Sequence, residues 1–417
     1  MTSDATPTRP GERIFTLDAI RGFALLGIFI MNMPGFSTSF FQGADGTHLW
    51  PEWWDRRAEV LRDILFSGKF NSMFSMLFAI GFILLLERLE ARDPQHAKAI
   101  YLRRIGWLLV FGVVHACVFW TGDVLHMYAL FGILLLALRR VPEKWLWALF
   151  IASLLYPVGR GVYRVLTTSP EEVQALIPLW GQWEASNNVA YGSGSFLAAA
   201  REHTREMVFV YTDPNNLQQA LGFYVQLFTT MVLGLILGKR HFFENAASQL
   251  VLVKRVQWSA LGLGVVTGAL FGYYEATVTD PLTPTALGVT ARVAYVLCRV
   301  ATMTFYVATI VRAVHSVSWR PLLAPIATVG RMPLTNYLLQ TLLATFIFYG
   351  WGLGFWGKIG PALQLVLAIA IYFAIQVPLS RWWLNRFTLG PLEYLWRVLT
   401  YGRASLRAAT SGAPATV

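Results

Sequence analysis

Apolar residues along this chain gather into ten runs, at about 17–33, 70–86, 105–120, 124–138, 145–158, 221–237, 258–274, 293–311, 334–351 and 361–379. Most are long and continuous rather than alternating. A run of about twenty apolar residues, rising 1.5 Å each, matches a hydrocarbon core about 30 Å thick. The pattern therefore predicts an all-α polytopic membrane protein with about ten transmembrane helices. Between the runs lie polar or mixed segments. Residues 1–14 read as a disordered tail, 35–63 as an aromatic, mixed-charge loop, and 159–217 as two or three amphipathic helices rather than a span. The stretch 390–402 carries Pro391 and Glu393 in its first turn and Gly402 at its end. That is the signature of a capped amphipathic helix lying in the membrane interface. The expected organisation is a tail at 1–14, one transmembrane helical domain over 15–402 with an extracytoplasmic amphipathic segment at 159–217, and a second tail at 403–417.

The most informative stretch is 103–140. Two short runs meet at a Thr121-Gly122-Asp123 turn, and arginine pairs (Arg103 with Arg104, Arg139 with Arg140) close the far ends. Sixteen residues rise only about 24 Å. The turn should stop short of the far membrane surface or line a wet recess. His126 follows Asp123 by three residues on one helix face, and His115 sits below the turn on the other helix. Ionisable groups at membrane depth are costly and mark candidate sites. The plainer reading makes Asp123 a helix cap and gives His115 a backbone partner.

Composition sharpens the class. The 417 residues are 55% hydrophobic and 14% charged, against about 25% charged in soluble domains. The two cysteines, Cys117 and Cys298, both fall in apolar runs, so no disulfide framework is expected. No cleavable signal peptide is evident, because the N-terminus is polar and contains proline. The pI of about 9.8 invites a nucleic-acid reading, but the location of the charge argues against it. With ten spans and a cytoplasmic N-terminus, most of the 34 Lys and Arg residues fall on inner segments and most Asp and Glu on outer ones. Both termini are then cytoplasmic. The inner face should attract anionic lipid headgroups or an anionic cytoplasmic cofactor. Partners expected are the lipid bilayer and a second copy of the chain, with no nucleic acid.

Other polar groups stand out against the apolar background. Asp18 and Arg21 are a compatible pair three residues apart at the inner mouth. Asn32 is a polar group near the outer end of the first run. His48, beside Glu52 and Asp55, reads either as a general base or as a solvated loop histidine. Gly68 to Phe82 is rich in small residues suited to close helix packing. Arg299 lies inside a run and needs an anionic partner, either a carboxylate such as Asp123 or a bound ligand. Asn336 and Gln340, four apart, make a polar stripe suited to interhelical hydrogen bonding. Arg331, just before Pro333, stands where a phosphate could meet it. No HExxH, CxxC, phosphate-binding loop or GxSxG elbow occurs, so no metal site is expected.

Taken together, these motifs resemble the YeiB-like family of bacterial membrane proteins (domain of unknown function 418), which implies the bacterial cytoplasmic (inner) membrane as the location. The resembling residues begin with Leu17-Asp18-Ala19-Ile20-Arg21-Gly22-Phe23-Ala24, Gly27-Ile28 and Asn32, followed by Phe78-Ala79-Ile80-Gly81-Phe82. His115, Trp120 to Leu125 and Tyr128 follow, then Gly330-Arg331-Met332, Leu334 to Gln340 and Gly390 to Arg397. The opening motif is also similar to that of transmembrane acyltransferases, including the heparan glucosaminide N-acetyltransferases. Those enzymes deliver an acyl group from cytoplasmic acyl-CoA to an acceptor across the membrane, using a histidine. Many carry that histidine near the end of the first span, where this chain has Asn32.

The expectation that follows is acyl transfer from cytoplasmic acyl-CoA to an acceptor at the outer side. Arg21, Arg331 and Asn336 are the candidate donor-binding residues. His115, oriented by Asp123, is the candidate base, with His48 as the other candidate histidine, and Asn32 or Asn336 as oxyanion donors. The rival expectation is a proton-coupled transporter or exporter in which His115 and Asp123 relay protons. The chain shows no convincing internal repeat, which tilts towards the enzyme.

Overall fold

In the computed structural model, residues 14–43, 49–278 and 283–402 are described, and among them there are helices and turns but no strand. The chain opens with α1 (Phe15–Ser37), α2 (Trp53–Leu65), α3 (Lys69–Arg92), α4 (Ala97–Val118), α5 (Leu125–Leu138) and α6 (Glu143–Thr167). Three helices follow in the amphipathic segment: α7 (Pro170–Gln174), α8 (Ile177–Gly192) and α9 (Phe196–Thr212). The second half holds α10 (Pro214–Lys239), α11 (Leu250–Thr277), α12 (Ala286–Val314), α13 (Arg320–Gly330), α14 (Pro333–Phe348), α15 (Pro361–Ile371), α16 (Val377–Leu384) and α17 (Pro391–Tyr401). Among the described residues, eight helical runs are long and apolar enough to cross a membrane. This is an all-α, multi-pass membrane protein. The other two expected spans correspond to α5 and α14, of 14 and 16 residues, so each rises only about 21–24 Å.

Several boundaries differ from the sequence expectation. Helix α1 continues through Pro34 to Ser37, and the Ser37 and Thr38 hydroxyls donate to the Pro34 carbonyl at 3.1 and 3.2 Å. The expected loop at 35–63 contains α2. Helix α6 runs past 158 to Thr167 and packs on α10 and α12. Helix α13 was not anticipated. It lies against α1, where a Cβ on Gly330 would sit 1.9 Å from the Asp18 carbonyl oxygen and one on Gly22 would sit 2.0 Å from that of Ile326. Only glycine permits that approach. The last expected span is interrupted by a π-helical turn at Tyr372–Gln376. Pro378, just beyond it, has no N–H to give the preceding turn.

The main core gathers α1, α3, α4, α5, α10, α12, α13 and α14. A second apolar cluster joins the late part of α1 to α8, α9, α14 and α15 through residues such as Phe29, Phe36, Trp120 and Tyr349. Helix α17 packs on α4 and α14. There the Trp396 indole donates to the Arg104 carbonyl at 2.8 Å, and the Arg104 guanidinium lies 3.6 Å over the Trp396 ring. The amphipathic face predicted for 390–402 is thus partly spent on the protein itself.

Candidate functional site

The hairpin turn after α4 supplies the centre of the site. His115 Nδ1 and Asp123 Oδ2 are 2.7 Å apart, and both residues are 2% exposed. The second carboxylate oxygen accepts from the Leu125 N–H at 2.7 Å and lies 3.2 Å from His126 Nδ1. The Tyr337 hydroxyl approaches Oδ2 at 3.4 Å. Asp123 therefore caps α5 and holds an imidazole at once. His126 Nε2 continues the chain to the Tyr211 hydroxyl at 2.6 Å, which meets that of Tyr224 at 2.8 Å. His115 Nε2 faces the Thr341 hydroxyl at 3.0 Å. Both nitrogens of His115 are thereby occupied, and its ring lies behind Asp123.

A cavity of about 910 Å³ reaches this turn, towards the upper end of the range usual for small-molecule sites. At the turn end its wall includes Asn32, Trp120, Asp123, Glu206, Tyr224 and Tyr337; at the other end it includes Asp18, Arg21, Arg88, Arg104, Arg331, Glu393 and Arg397. Asp18 bonds Arg21 at 3.0 Å. Glu393 accepts from the Leu334 and Thr335 N–H groups at 2.7 and 3.1 Å, capping α14 from a distant helix. Burial pushes the Glu393 carboxyl up from its ordinary value, against the pull of those donors. The Arg331 Nε is buried with no hydrogen-bond partner. Five arginines against two carboxylates, both engaged, leave this mouth strongly electropositive and suited to phosphate.

The sequence-predicted residues divide as follows. His115 and Asp123 are in direct contact. Arg21 and Arg331 share the electropositive mouth, and Asn32 lies on the cavity wall. Asn336 is away from the wall. Its amide donates to the Val329 and Met332 carbonyls and to Ser380, while Gln376 in the π-turn donates to its side-chain and backbone oxygens. His48 lies outside the described residues. No group of three or more His, Cys, Asp or Glu suited to a metal occurs among the described residues.

A second buried polar centre lies beside the first and was not singled out from the sequence. Glu206 on α9 accepts from Thr121 and Tyr191 hydroxyls at 2.7 and 2.8 Å and from the Asn187 amide at 2.7 Å. His203, one turn earlier, places Nδ1 2.9 Å from both hydroxyls. Its ring stacks on Tyr191, which stacks on Tyr349. Burial holds the His203 imidazole below its usual pKa, although Glu206 acts the other way. A neutral His203 donating from Nδ1 leaves both hydroxyls free to donate to Glu206. The available signal was spacing: His203 and Glu206 are i, i+3, and Asn187 and Tyr191 are i, i+4, on helices that looked only amphipathic.

A helical membrane protein with one cavity joining a basic mouth to a buried His–Asp turn is the class these features define. A family profile described as "Protein of unknown function (DUF418)" matches residues 237–403. The chain is 31% identical over 411 residues to "Uncharacterized protein YxaH" of Bacillus subtilis (strain 168), covering 96% of this chain and 97% of that one. It is 29% identical over 420 residues to "Uncharacterized protein YeiB" of Escherichia coli (strain K12), covering 93% and 96%. No solved structure matches it. The chain belongs to the YeiB-like DUF418 family.

Proposed function

We propose that this protein transfers an acyl group from cytoplasmic acyl-CoA to an acceptor hydroxyl or amine that enters the turn end of the cavity. The observation that carries the reading is the single cavity between the five-arginine mouth and Asp123. Arg21 and Arg331 hold the donor's phosphates, and the apolar wall along Phe74, Phe78 and Leu108 takes the acyl-pantetheine arm. Asp123 is the group that meets the acceptor and takes its proton, with His115 behind it donating from Nδ1 to orient the carboxylate. The acceptor's lone pair forms the new C–O or C–N bond and the thioester C–S bond breaks. The acceptor's proton passes to Asp123 and from there to the departing thiolate, so that charge balances. Asn32 is the nearest candidate among the sequence-predicted donors to hold the oxyanion. In this reading the N-terminus is cytoplasmic and the membrane is the bacterial cytoplasmic membrane, as the basic bias of the inner segments supports.

Titrating purified protein with acetyl-CoA tests the donor site. Removing Arg331 should weaken affinity about ten- to a hundredfold, the worth of a charged hydrogen bond, while His115→Ala should bind normally and turn over poorly. No measurable affinity in the unaltered protein overturns the reading. A second reading, a proton-coupled transporter, is favoured by the π-turn that breaks the α15–α16 run and by the His115–Asp123–His126 chain. Proton uptake coupled to solute movement in proteoliposomes, without acyl-CoA, would select it.

A further inference from the structure

Two cations lie buried beside the cavity, and no ion pair joins either to a carboxylate among the described residues. Arg299 on α12 and Lys69 at the start of α3 are each 0% exposed. Lys69 Nζ donates to the Asp63 carbonyl at 2.9 Å and lies 5.6 Å over the Tyr295 ring. Arg299 uses only Nη1, which donates to the Ser72 hydroxyl at 2.8 Å and the Gln226 carbonyl at 3.3 Å. Its Nε and Nη2 have no partner. The sequence left two partners open for Arg299, and Asp123 is committed to His115 and His126. An isolated buried guanidinium is costly, by several kcal/mol even after relaxation.

The unfilled nitrogens are informative. Nε and Nη2 form one edge of the guanidinium, the edge that presents two parallel N–H bonds to two oxygens of one oxyanion. Ser72 and Lys69 belong to the first turn of α3, where the backbone N–H groups favour negative charge. The cavity wall includes Ser67, Gly68 and Tyr295. A Cβ on Gly68, whose φ is +71°, would lie 2.5 Å from the Tyr295 hydroxyl and 2.7 Å from Arg299 Cδ. The Arg299 stem therefore lies directly behind a glycine wall of the cavity. We propose that Arg299, Lys69 and the first turn of α3 form a binding site for a two-oxygen oxyanion, a carboxylate or a phosphate, carried into the membrane core by a small-molecule ligand. The site is separate from the arginine mouth and does not depend on acyl transfer.

Thermal unfolding of the detergent-purified chain, followed by tryptophan fluorescence, tests this with sodium acetate, sodium phosphate and sodium chloride at matched ionic strength. Saturable stabilisation by acetate or phosphate and none by chloride is expected. Acetate alone assigns a carboxylate ligand, and phosphate alone a phosphate ester or lipid headgroup. Arg299→Lys keeps the charge and removes the fork, and should weaken the apparent affinity at least about tenfold. Ser72→Ala leaves the fork and should retain the anion response. Chloride acting as well as acetate and phosphate, no anion acting, or an undiminished response in Arg299→Lys overturns the proposal. If that variant fails to fold, the same anion series on Arg331→Gln decides it: an undiminished response places the anion away from the arginine mouth, and a response lost with Arg331 overturns the proposal.

Discussion

The contact between His115 and Asp123 can be measured by a double-mutant cycle. Asp123→Asn keeps an oxygen for the Leu125 N–H but places an NH₂ where Oδ2 stood, 2.7 Å from His115 Nδ1. The imidazole can adapt by moving its proton to Nε2 and donating to Thr341 at 3.0 Å. What is lost is the charge assistance, about 1.5–3 kcal/mol for a hydrogen bond to an ionised group. His115→Gln removes the same bond from the other side and strands part of the Asp123 charge among buried groups. Because each single change breaks the same interaction, the pair should be non-additive by about 1.5–3 kcal/mol, roughly a ten- to hundredfold difference in the folding equilibrium. Unfolding in mixed micelles by a denaturing detergent, read from the fluorescence of the 16 tryptophans, provides the four stabilities. Thr341→Val serves as a neutral-partner control, at about 1 kcal/mol. A coupling below about 0.5 kcal/mol would refute the claim that these two side chains form one unit.

Other consequences are open to the same methods. Gly330→Ala, whose Cβ would meet the Asp18 carbonyl at 1.9 Å, should destabilise by about 1–3 kcal/mol, whereas Gly106→Ala, with nothing within 4 Å, should be neutral or slightly stabilising. His203 should make stability pH-dependent. Its folded pKa is depressed, so below the unfolded value of about 6.5 the unfolded chain binds a proton that the folded chain refuses. Stability should then fall from pH 7 to 5 by at most about 1.4 kcal/mol per pH unit, and His203→Gln should flatten that slope. Glu393→Gln should cost about 1 kcal/mol and speed hydrogen exchange at the Leu334 and Thr335 amides, which Glu393 now binds.

The apolar runs determined the class of fold, because hydrocarbon solvent accepts a backbone only when its hydrogen bonds are closed within a helix. The short hairpin and its ionisable residues were likewise legible, since a carboxylate in an apolar setting stands out regardless of its neighbours. The capped helix at 390–402 was legible from Pro391, Glu393 and Gly402, whose preferences are local. Partnership was not. Nothing in the spacing says that His115 meets Thr341, that Glu393 caps α14, or that Asn336 turns towards the π-turn rather than the cavity. Those contacts join residues far apart in the chain, and helix packing decides them. The His203–Glu206 centre was overlooked for the same reason: on a mixed polar helix a histidine and a glutamate look solvated until α8, the Thr121 turn and α14 close over them. Arg299 shows both sides. Its place inside an apolar run marked a demand for negative charge, and only the assembled helices showed that no carboxylate among the described residues answers it.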